Sequence, residues 1–146
     1  MSTSSTNAAR RWLAGADPGR ADRWASDDAV GLLPLGRVWD AVRLPALDGL
    51  RVAELDAIDG PVIHDPAGRT VYVLVPHDTS ESWQVEGTER LGDTCHLAVP
   101  TPDRLQPPGP YWVQAPDGSG RLTAPAALAN ALTGTPALRL PAEAFG

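Results

Sequence analysis

Lysine is missing altogether: all 12 basic residues of this 146-residue chain are arginine. A Walker-type phosphate loop needs a lysine to reach the phosphates and is therefore excluded. No glycine-rich dinucleotide fingerprint opens a predicted helix, and no serine sits in a nucleophile elbow. Cysteine occurs once, at Cys95. One thiol forms no internal disulfide, and with only His64, His77 and His96 beside it a structural zinc site is not expected. Long apolar runs are missing too. No stretch reaches the roughly 20 residues of a membrane span, and the Ser/Thr-rich first nine residues hold no apolar run of signal length. These absences predict a cytoplasmic chain with no membrane contact, no cofactor and no bound metal.

What is present is an acidic, globular composition. The net charge of −6 repels nucleic acid over most of the surface, so nucleic-acid binding is expected to be weak or absent. An acidic surface suits another protein as partner better than DNA. Apolar residues make up 42% and charged residues 21%, the range of chains that fold. The length suits one domain, 1–146, with irregular tails at 1–5 and 135–146. The abundance of arginine, proline (15) and glycine (14) is what the codons of a high-GC genome produce.

Two short helices are expected near the N-terminus: Thr6 to Ala14, ended by Gly15, and one opened by Asp17-Pro18. Strands follow at Val30–Leu33, Arg37–Leu44, Gly60–His64, Thr70–Val75, Cys95–Val99 and Tyr111–Ala115, with turns at Pro34-Leu-Gly36, Asp65–Gly68 and Asp117–Gly120. A helix over about Ala46–Ala57 would bury Leu47, Leu50 and Leu55, weakened by Gly49. Thr123 is expected to cap a last helix reaching about Leu132. The fold class is α+β: a small mixed or mostly antiparallel sheet with helices packed on one side.

Six residues stand out as binding candidates: Trp39, Asp40, Arg43, Glu89, His96 and Trp112. Along Arg37–Leu44 the period of two puts Asp40 in the register of Val38, Val42 and Leu44, the face that should be buried. A carboxylate there costs several kcal/mol unless it is paired or hydrogen-bonded. Arg37 and Arg43 point the other way, so its partner must come from another element. Trp39 and Trp112 can serve as a base-stacking platform or as core. His96 alternates against Cys95 and Leu97 on its strand and is expected to be half-exposed.

Three segments together resemble a known family. They are Gly31-Leu-Leu-Pro-Leu-Gly36 with Val38-Trp-Asp-Ala-Val42; the run from Gly60 through His64, Asp65 and Gly68 to Pro76; and Cys95-His-Leu-Ala-Val-Pro-Thr-Pro102 with Tyr111-Trp112. In this order they are similar to the bifunctional primase/polymerase domain of archaeo-eukaryotic primase type found in high-GC bacteria. The resemblance spans about Ala29 to Ala115. It implies two aspartates one residue apart at a strand end and a third acid, holding divalent metals between triphosphate and primer hydroxyl. It also implies a histidine on a neighbouring strand that contacts the phosphates. Laid on this chain, the paired acids fall on Arg43 and Pro45, the histidine on Thr70 or its neighbour, and the third acid near Glu89. Only Glu89 keeps the required character. The resemblance thus implies the family's fold without its catalysis, in a module for protein binding or regulation. Two alternatives stand beside it: a nucleotide or nucleic-acid binder using the N-terminal arginines with Trp39 or Trp112, and an enzyme using Asp40 and Glu89.

Overall fold

The computed structural model describes residue 12 and residues 30–36, 38–77, 83, 85–92, 95–101 and 104–133. The expected N-terminal helices and the 135–146 tail lie outside these residues, Trp12 excepted. In chain order the elements are β1 (Val30–Pro34), β2 (Trp39–Pro45), α1 (Ala46–Val52), β3 (Val62–Asp65), β4 (Thr70–Pro76), β5 (Glu89–Leu91), β6 (His96–Pro100), β7 (Tyr111–Gln114) and α2 (Pro125–Thr133). Five strands form a sheet in the order β5-β2-β4-β3-β7, and β1 pairs with β6 in a second sheet. Every pairing is antiparallel. The fold is α+β, as expected. No helix among the described residues is long and apolar enough to cross a membrane.

The strands alternate, yet both faces of the larger sheet are covered. Val42, Leu44, Val62, Val71, Val73 and Val75 point to one face and pack with Val52, Ile58 and Leu128 beneath the two helices. Trp39, Ala41, Ile63, Leu74 and Trp112 point to the other and meet Leu33, Leu97 and Val99 of the small sheet. The three layers are therefore helices, five-stranded sheet and two-stranded sheet. Central β4, Thr-Val-Tyr-Val-Leu-Val-Pro, reads as a continuous apolar run because both of its sides are buried. Each fully buried Val or Leu contributes about 1.5–3 kcal/mol by leaving water, so this sandwich carries most of the stability.

Several expectations change. The first helix stops at Val52, and its buried residues are Gly49 and Val52. Leu47 is 84% exposed and Leu55 44%, while Leu50 is half-buried against the helix-side core, so of the expected leucine stripe only Leu50 packs inward. Gly49 is where the helix lies on the sheet: a Cβ there would overlap the Val71 side chain. Its smallness is what permits the contact, and that outweighs its poor helix propensity. Thr123 does not cap α2. Its buried hydroxyl accepts the Gly60 N–H at 3.0 Å, and α2 opens on Pro125, which suits a first helical position. Strand β5 has no counterpart in the expectations. Glu-Arg-Leu is three residues long and mostly charged, the usual state of an edge strand.

Candidate functional site

The end of β2 and its neighbours hold the residues on which the resemblance lays its chemistry. Arg43 pairs across the sheet with Glu89 of β5 and with Tyr72 of β4, and Pro45 pairs with Thr70. Directly opposed residues share a face, so Arg43, Pro45, Thr70, Tyr72 and Glu89 converge on one surface. It is the face that carries Trp39 and Ala41, past the cover of the small sheet. The Arg43 guanidinium donates to Glu89 Oε1, with both side chains about half exposed. Glu89 is thus engaged by an arginine from the adjacent strand.

Asp40 lies on the opposite face and is 1% exposed, in line with its register. Arg90 Nη1 stands 3.3 Å from Asp40 Oδ2. Arg90 is the next residue after Glu89, so it points to the other side of β5 and reaches the helix-side layer. The pair is asymmetric, for the Arg90 side chain keeps 31% of its surface in solvent. Gly92 gives it room: a Cβ there would overlap Arg90 Nη1 and crowd Asp40 Oδ2 at 3.2 Å. The partner does come from another element, as the register requires, and Arg43 is turned away. Arg37 lies outside the described residues.

Trp39 and Trp112 are brought together, but inside the core, at 0% and 1% exposure. Trp112 Nε1 donates to the carbonyls of Pro100 (3.2 Å) and Thr101 (3.1 Å). Neither ring presents a face for stacking a base. His96 begins β6 opposite Pro34, is exposed, and lies in the other sheet, apart from the β2–β5 residues. Asp40 and Glu89 project from opposite faces and do not form a two-carboxylate site. Among the described residues no group of three or more His, Cys, Asp or Glu side chains is placed to hold a metal ion.

Three features escaped the sequence reading. His64 Nδ1 lies 2.8 Å from the Tyr111 hydroxyl across β3 and β7, ring edge to ring face. Arg90 was hidden because an arginine in a polar stretch carries no pattern that names its partner. The third is a narrow cleft between the Asp59–Pro61 loop and the segment from Ala115 through Asp117 to Arg121, with Trp12 as one wall. In it, hydrogen bonds donated by Ser119, through its hydroxyl and its backbone N–H (2.9 Å), hold the Asp117 carboxyl below the usual carboxylate range, and Arg121 adds to the effect. No protein-family model, curated protein or solved structure matches this chain.

Proposed function

We propose that this chain is a non-catalytic module of the primase/polymerase type that works in the cytoplasm by protein binding or regulation. One observation carries the reading. The positions to which the resemblance assigns metal and phosphate chemistry, Arg43, Pro45, Thr70 and Glu89, converge on one surface of three adjacent strands. At its centre stands a guanidinium bound to the single acid. A fixed positive charge repels divalent cations, and proline supplies no ligand. The burial of Trp39 and Trp112 favours a protein partner over a nucleotide, as does the net charge of −6. The opposed directions of Asp40 and Glu89 weigh against an enzyme built on that pair.

Calorimetric titration with manganese, alone and with a nucleoside triphosphate, tests this. No site tighter than roughly millimolar is expected, the range in which carboxylate sites bind; a tighter one overturns the reading. The double variant Arg43→Asp/Pro45→Asp restores two acids one residue apart beside Glu89 and should gain manganese binding. A folded double variant that gains none would remove the family assignment.

A further inference from the structure

Three aspartates of this chain are followed directly by glycine: Asp48, Asp59 and Asp117. In such a pair the glycine nitrogen can attack the preceding side-chain carboxyl, because no Cβ shields it and the backbone turns freely. The fold treats the three pairs differently. Gly49 lies inside α1 and is buried against β4, where a Cβ would overlap Val71. To reach the Asp48 carboxyl its nitrogen would have to leave the helix. Gly60 is buried; its N–H donates to Thr123 Oγ1 at 3.0 Å and its carbonyl accepts from Gln114 Nε2 at 2.7 Å. Gly118 has neither restraint. It stands in the turn between β7 and α2 at φ 90°, close to Gly120 at φ 83°, and Asp117 beside it is exposed. Among the described residues the Gly118 N–H has no hydrogen-bond partner.

We infer that Asp117–Gly118 is the site at which this chain converts spontaneously to isoaspartate, with Ser119 as the group that restrains the reaction. The Gly118 nitrogen bonds to Asp117 Cγ and gives up its proton, the carboxyl hydroxyl departs with that proton as water, and a succinimide closes. Water then opens the ring. Breaking the new bond to Cγ restores aspartate; breaking the old bond to the Asp117 main-chain carbonyl gives isoaspartate, whose chain runs through Cβ and Cγ. One water is released and one consumed, no electrons are exchanged, and the product keeps the mass of the starting chain. The hydroxyl leaves as water only from the protonated carboxyl. Ser119 opposes this, for its hydroxyl and its backbone N–H (2.9 Å) favour the ionised form and hold Oδ1 toward residue 119. The product has an extra methylene in its main chain, so it reshapes the 115–121 side of the cleft. This inference stands apart from the protein-binding reading.

The full chain, folded and in guanidinium chloride, is aged in mildly acidic buffer and then digested with trypsin. Cleavage after Arg43, Arg51, Arg69, Arg104 and Arg121 puts the three pairs in separate peptides, 44–51, 52–69 and 105–121. Isoaspartate is read by an isoaspartate-specific carboxyl methyltransferase with labelled S-adenosylmethionine, and by the shifted retention of a peptide of unchanged mass. In the unfolded chain all three peptides should label at similar rates. In the folded chain 105–121 should lead the other two by roughly tenfold or more, since Asp48 and Asp59 react only after local opening. Ser119→Ala should speed labelling of 105–121 about two- to threefold, because more of the carboxyl is protonated. Asp117→Glu should abolish that labelling. Equal labelling of the three peptides in the folded chain overturns the inference. So does a folded 105–121 peptide that stays unlabelled after the unfolded one has reacted, or a Ser119→Ala chain no faster than wild type.

Discussion

Removing either half of the Asp40–Arg90 pair should destabilise the fold by different amounts. At 3.3 Å, Coulomb's law with an effective dielectric constant of about 20 gives a gross attraction of about 5 kcal/mol. Most of this is offset by the dehydration of a carboxylate that is 1% exposed. The net worth of the pair is therefore small, and what a truncation costs depends on what is left behind. Asp40→Ala leaves an arginine that is already 31% exposed and can turn to water, so its cost should be about 1–3 kcal/mol. Asp40→Asn should cost less, since it keeps part of the hydrogen bonding. Arg90→Ala leaves the buried carboxylate without its arginine, and a cost of about 3–5 kcal/mol is expected. Urea melts of the three variants and of Asp40→Ala/Arg90→Ala close a double-mutant cycle. The double variant should be more stable than Arg90→Ala alone, because the buried charge is gone. A midpoint shift near zero for Asp40→Ala, or Arg90→Ala no costlier than Asp40→Ala, would refute the structural role.

Gly49→Ala should destabilise by about 1–3 kcal/mol, because the new methyl meets Val71; Val71→Ala added to it should recover part of the loss, and a stabilised single variant would show that α1 does not lie on β4. Arg69 holds φ 57° in the β3–β4 turn and its carbonyl accepts the Ala46 N–H at 3.0 Å. Arg69→Gly should relieve the left-handed backbone and raise stability by about 0.5–1 kcal/mol in thermal melts. Asp117 titrates below an unperturbed aspartate because Ser119, chiefly, stabilises the ionised form. Its lowered value means its contribution is complete above the ordinary carboxylate range and is lost as pH falls through the lowered value. A carboxyl NMR titration should give a midpoint under 3.8, rising toward 3.8 in Ser119→Ala; a wild-type midpoint at or above 3.8 would contradict the hydrogen bonds.

The sequence by itself determined the local elements. Runs such as Thr70–Val75, bounded by Gly68 and Pro76, fold as strands because β-branched residues suit an extended backbone and because glycine and proline end it. The period of two along β2 put Asp40 on the buried face and Arg43 on the other, and both lie there. Where local pattern was faint it failed: three residues of β5 offer no period, and of the stripe suggested by Leu47, Leu50 and Leu55 only Leu50 packs against the core. The tertiary structure alone decided which residues meet. Asp40 and Arg90 are fifty positions apart, and nothing local to either names the other; the strand order β5-β2-β4 does. The same order gathers Arg43, Pro45, Thr70 and Glu89 on one surface and separates Glu89 from Asp40. Gly49 shows the limit most clearly. In sequence it is a weak helix residue, and only the distance to Val71 reveals that any larger side chain would push the helix off the sheet. Strand pairing and close packing are long-range relations, so they appear only once the chain has folded.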